Sequence, residues 1–272
     1  MILSADYEEQ CVMALTWGVQ SNLPCNICLV PKGCLLEMEE TYNLQTMPWA
    51  QDIFKQAKEI SNATDQNEFL KEFGLQFIEV GFLFQFNNHV LILDLELFWS
   101  IEHCDVYWAL LFDQLHTFNH GLFALHLLKE VIGRIEKLKH SHSFAQQVDE
   151  QLSAFPRWKD LYHFAQGFIH VTYTDGLKFE MLSKQLIFIA HNILTKERDP
   201  IGYLLLRVLR VYMELDMYAS FSLHTSSSLQ AGQARLPTLA ALIVEYEKAS
   251  REEYNEEMSA CTKLEMQQHQ RH

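Results

Sequence analysis

The chain is expected to be mainly helical, an α+β protein with few strands. Three observations predict this. Helical patterning covers 49–73, 106–139, 178–196 and the tail from Thr238. Helix start signals are explicit: Asp6 and Glu9 have the spacing of a capping box, and Asp199 precedes Pro200 as an N-cap precedes proline at N1. Strand signals are confined to the opening residues and to one stretch rich in β-formers, 80–98.

In chain order, 1–4 read as the end of a strand and 6–18 as a helix capped by Asp6. Residues 22–36 form a knuckle rich in Pro, Gly and Cys, with Pro24 and Pro31 around Cys25-Asn26-Ile27-Cys28. A helical region follows over 49–73. The segment "VGFLFQFNNHVLILDLELF" reads as a hairpin turning at Asn87-Asn88. A long helix is expected over 106–139, broken near Gly121. Further helices are expected over 178–196 and from Pro200 to about residue 220. "HTSSSLQAGQARLP" reads as a loop, and the tail as a charged helix. No internal repeat is visible.

The bulk numbers bound the function. The chain has 272 residues, 49% hydrophobic and 12% aromatic, enough for one large or two small packed domains. A net charge of −14 repels phosphate backbones, which counts against nucleic-acid binding by this chain alone. Of the six cysteines, only 25 and 28 have metal spacing, and a disulfide framework does not suit a chain of this size. A reducing compartment is the expectation, and there is no charged-then-apolar leader. The most apolar stretch, 82–99, is interrupted by Asn87, Asn88, His89, Asp94 and Glu96, so no membrane span is expected. Asn62-Ala63-Thr64 matches a glycosylation sequon, which carries no weight without secretion.

Three groups of residues carry chemistry. Cys25 and Cys28 sit across a tight turn, where two thiolates chelate one Zn²⁺ at about 2.3 Å per bond. Two more ligands are needed, and Cys34 is a candidate; the alternative is a pair of ordinary thiols. In "FDQLHTFNHGLFALHLL", Asp113, His116 and His120 fall at i, i+3 and i+7 on one helical face, with His126 further round. That set suits a metal or an acid–base pair, or histidines hydrogen-bonded within a core. Asp6 is either a simple N-cap or an acid at a strand end, where metal-dependent nucleases place carboxylates. No phosphate-binding glycine loop, G-x-S-x-G or H-E-x-x-H is present.

Several blocks, in order, resemble the fungal Plavaka-type transposases, relatives of the CACTA superfamily. They are "ADYEEQCVMAL", "LPCNICLVPK", "ALLFDQLHTF…GLFALHLL", "FPRWKDLYHF", "TDGLKFEMLSKQLIFIAHNIL" and "GYLLLRVLRVYMELDMYA". The resemblance covers most of 1–80 and 98–245. It implies an RNase H-like catalytic domain in which a DDE set of acids binds two Mg²⁺ ions for DNA strand cleavage and transfer. Carried over residue by residue, it places Asp6 at the second catalytic acid. Cys25 and Cys28 match a C-P-x-C knuckle, with Asn26 in place of proline, which strengthens the expectation of structural zinc. Asp113 and His116 match a D-x-x-H motif, and His126 a histidine just beyond it. His120 has no counterpart. His116 and His126 join Cys34 as candidates for the remaining zinc ligands.

The departures shape the expectation. The family's first acid lies upstream of Met1, and its third lies beyond the point near Tyr246 where similarity fades. Residues 81–97 have no counterpart in the family and read as a translated short intron or a lineage-specific hairpin. The chain is therefore expected to be a truncated, inactive remnant of a DDE transposase: a partial RNase H-like core with a large helical insertion. Its expected parts are 1–20 (strand end and helix of the core), 21–48 (the CxxC segment), 49–245 (helical insertion) and 246–272 (charged tail). DNA contact is expected to be weak or absent, with self-association open and a nuclear location implied by the resemblance. The alternative is a non-catalytic, zinc-stabilised interaction module.

Overall fold

The computed structural model describes residues 3–37, 40–77, 82–86, 89–93, 101–111, 113–169 and 175–269. It is mainly helical and divides into two compact units, Met1–Thr117 and Phe118–His272.

The first unit begins with β1 (Leu3–Ser4), which leads into α1 (Tyr7–Ala14). The capping box read from Asp6 and Glu9 is present, with each residue's side chain accepting from the other's backbone N–H. The helix stops earlier than its patterning suggests. Leu15 takes a left-handed conformation at φ 55°, and its N–H turns back to the Cys11 and Val12 carbonyls. The chain is then pinned: Trp17 N–H donates to the Gly74 carbonyl at 2.9 Å, and Gln76 Nε2 to the Thr16 carbonyl at 2.7 Å.

The helical region after the knuckle is two helices, α2 (Met47–Lys58) and α3 (Ala63–Glu72). Asn62, noticed first as a sequon, caps α3 by accepting from Thr64 N–H. β2 (Phe82–Phe86) and β3 (His89–Leu93) form the expected antiparallel hairpin, in register from Phe82↔Leu93 to Phe86↔His89. Among the described residues neither strand pairs with any other. The turn at 87–88 and the segment 94–100 lie outside the described residues.

The single helix expected over 106–139 is corrected. α4 (Val106–Ala109) is one short turn, and β4 (Leu110–Leu111) is extended beside β1. The break falls at Leu110–Leu111 rather than at Gly121, because Leu110 pairs with Leu3. Asp105 caps α4 through Tyr107 N–H and also accepts from Met47 N–H at 2.9 Å, tying α4 to α2. The core of this unit gathers Ala50, Ile53, Phe54, Leu70, Leu75 and Tyr107. From Gln114 to Leu127 the chain winds as a π-helix.

The second unit is a helical stack: α5 (Leu128–Lys137), α6 (Ser141–Ser153), α7 (Gly176–Ala190), α8 (Pro200–Ala219), α9 (Ser226–Gln233) and α10 (Leu236–His269). α8 starts where Asp199-Pro200 said it would. α7 begins after the Asp175 cap and ends at Ala190, short of the patterning. The supposed loop at 224–237 is corrected: Thr225 and Ser228 form a capping box, and α9 follows. The core collects Val131, Val148, Leu152, Leu182, Leu186, Leu209 and Tyr212, among others. Beside it lies an ion cluster that runs out to the surface. Arg134 donates from Nε to Asp199 Oδ2 at 2.9 Å, from Nη2 to Asp199 Oδ1 and from Nη1 to Glu253. Lys137 joins Glu253 at 3.2 Å and Glu257 at 3.3 Å. Asp199 also caps α8 through Gly202 N–H at 3.0 Å, and a Cβ on Gly202 would lie 2.4 Å from its carboxylate.

Among the described residues no helix is long and apolar enough to cross a membrane.

Candidate functional site

The candidate site starts from the β1–β4 pair. The strands are parallel, with Leu3 opposite Leu110 and Ser4 opposite Leu111. Parallel neighbours deliver their following residues to the same end of a sheet. Asp6 follows β1 by two residues and Asp113 follows β4 by two, so both acids emerge at that end.

Each acid is also held by local backbone. Asp6 Oδ1 accepts from Glu9 N–H at 2.8 Å, so it does cap α1. Asp113 Oδ1 accepts from Leu115 N–H at 2.9 Å and His116 N–H at 3.1 Å. Its other oxygen bonds His116 Nδ1. The Asp113 side chain is 15% exposed and the His116 side chain 59%. The aspartate is thus an anchor, and the ring keeps Nε2 for a second partner.

The electrostatics follow. The bond from Asp113 raises the His116 pKa above the usual imidazole range, and Asp6 and Glu9 raise it further. Burial pushes the Asp113 carboxyl up, but the His116 ring and the His116 and Leu115 amides outweigh it, and the carboxyl sits below its ordinary value. An aspartate-anchored imidazolium can donate a proton or hold a phosphate oxygen.

The other histidines separate from this pair. His120 packs its ring 5.6 Å from that of Phe179, as a histidine in an apolar helix does. His126 is exposed on the same π-helix.

The knuckle is the second candidate. Cys25 Sγ accepts from the N–H of Ile27 and of Cys28, each at 3.4 Å. Burial pushes the Cys28 thiol up, and Cys25 beside it adds to the shift. The turn is laced to the chain that follows: Gln45 N–H donates to the Ile27 carbonyl at 2.8 Å, and Gln45 Nε2 to the Cys25 carbonyl. Asn26 points inward, where Thr16 Oγ1 donates to its Oδ1 at 2.6 Å and its Nδ2 meets Cys11 Sγ at 3.4 Å. Tyr7 closes the other side, donating to the Pro24 carbonyl at 2.6 Å; burial and then Cys11 push its hydroxyl well up. Gly18 sits against this network at φ +62°, and a Cβ there would stand 2.7 Å from Cys11 Sγ.

Cys34 neighbours Tyr42. Two soft sulfur donors side by side fit one half of a zinc site. Among the described residues no group of three or more His, Cys, Asp or Glu converges to hold a metal ion. Tyr7, Thr16 and Gln45 are parts of these sites that the sequence reading missed, and Glu9 was read only as Asp6's capping partner. Glu9 carried a signal, its capping-box spacing; the others depend on contacts between distant segments.

Comparison with known protein families, with curated proteins and with solved structures finds no match to this chain.

Proposed function

We propose that this chain is a portion of a DDE-type transposase catalytic region that does not cleave DNA by itself. The observation that carries the reading is the parallel β1–β4 pair, which brings Asp6 and Asp113 out at one end of the strands with His116 anchored beside them. Metal-dependent nucleases need carboxylates at such a position. The resemblance matches Asp6 to one of three acids, and a two-ion reaction needs ligands converging on both ions. Asp113 and His116 are read as supporting groups that set the charge around Asp6. An RNase H-like core belongs to this proposal, as does a nuclear location.

Zinc belongs to it as a structural ion held by Cys25 and Cys28, which would fix the knuckle against α1. Its remaining ligands are proposed from Cys34, His116 or a second chain.

The test is purified protein with Mg²⁺ or Mn²⁺ and labelled terminal-repeat DNA. No cleavage product is expected. Cleavage that disappears in Asp6→Ala would overturn the proposal of inactivity. Elemental analysis of the same preparation should find zinc, lost in Cys25→Ser.

A further inference from the structure

We infer that Cys25 and Cys28 form a reversible oxidation site, which a hydroperoxide closes to an intrachain disulfide. The two sulfurs stand side by side in one turn, and both residues are half-buried rather than sealed in a core. Their roles differ. Cys25 Sγ is held by two backbone N–H groups at 3.4 Å, which fix its place in the turn, and Cys25 is assigned as the attacking residue. Cys28 is the resolving residue. Cys11 is buried and bonded to Asn26, which keeps it out of the reaction.

The step balances. Cys25 loses its proton to solvent and its sulfur attacks one oxygen of the hydroperoxide. The O–O bond breaks, and the departing oxygen takes up a proton and leaves as water or an alcohol. Cys25 is then a sulfenic acid. Cys28 sulfur attacks it, an S–S bond forms, the S–O bond breaks and a water leaves with the Cys28 proton. Two thiols have lost two electrons and two protons, and the hydroperoxide has gained both.

The site adjoins the acid end. Tyr7, the residue after Asp6, donates to the carbonyl of Pro24, the residue before Cys25. The oxidation state of the knuckle therefore borders the start of α1.

The inference does not depend on zinc, because zinc and a disulfide compete for the same sulfurs. The experiment uses the full chain after chelation, treated with hydrogen peroxide, with remaining thiols blocked and peptides mapped by mass. Two of the six thiols should be lost, the peptide holding 25–28 should be lighter by two hydrogens, and dithiothreitol should restore both. In Cys28→Ser, dimedone should label Cys25; in Cys25→Ser, it should not label Cys28. Unchanged thiol titration overturns the inference, as does oxidation of Cys25 to sulfinic acid with no 25–28 bond. If zinc added beforehand fails to slow the oxidation, the zinc proposal fails while the disulfide stands.

Discussion

The two units treat their buried polar groups differently. In the first, Gln10, Thr16, Ser21, Asn26 and Gln45 are scattered through turns around α1 and the knuckle. All are uncharged groups that bond nearby backbone or side-chain atoms, as Gln10 Nε2 donates to the Ala5 carbonyl at 2.9 Å and Asn26 bonds both Thr16 and Cys11. In the second, Arg134, 8% exposed, and Asp199, 2% exposed, form a charged pair beside a core of leucine, isoleucine and valine. The first unit spreads its specificity over many modest bonds. The second has bonds of that kind too, at Asn119, Ser183 and Gln185, and adds one charged cluster whose members are costly to separate.

The largest expected effect tests that cluster. Arg134→Met leaves Asp199 buried without its cation, and breaking a buried pair from one side costs about 3–5 kcal/mol. Urea unfolding should read it, and adding Asp199→Asn and Glu253→Gln should recover part of the loss. A single-variant loss below about 1 kcal/mol would place Arg134 among ordinary surface cations. Asn26→Ala should cost less, about 1–3 kcal/mol, because it orphans the Thr16 hydroxyl. Faster hydrogen exchange should then appear around α1 and the knuckle and not in α8. Equal acceleration in both would break the contrast.

The smallest effect is at the acid end. His116 should titrate by NMR with a midpoint above about 6.5, falling toward that value in Asp113→Asn. The signs are opposite for the two partners. Stability from His116 is full below about pH 6.5 and lost as pH rises through its raised pKa. Stability from Asp113 is full above about pH 3.9 and lost as pH falls through its lowered pKa. The pair is exposed on the histidine side, so the stability change should be small.

Legibility follows the same contrast. α8 was readable because its cap, proline and apolar stripe are local to the segment, and α1's cap was readable for the same reason. α9 was hidden because a run of serines with Thr225 has turn composition, and only the reciprocal bond between Thr225 and Ser228 makes it a helix start. The break at Leu110–Leu111 was hidden because it is imposed by Leu3, far away in the chain. Of the candidate sites, the Asp113–His116 contact and the Cys25–Cys28 turn were visible as short spacings. Their neighbours were not, since Tyr7, Thr16 and Gln45 reach the knuckle only through folding.

The β1–β4 pairing has a kinetic consequence. Its two strands stand at opposite ends of the first unit's sequence, so joining them closes a very long loop, and the entropy of that closure is met only once the intervening segments have condensed. The Asp113–His116 bond, by contrast, lies within a single turn and can form as soon as that turn does. During refolding the histidine should therefore find its aspartate early, and Asp6 should arrive beside them last. A pulse-labelling experiment should find the amides of 113–117 protected ahead of those of β1.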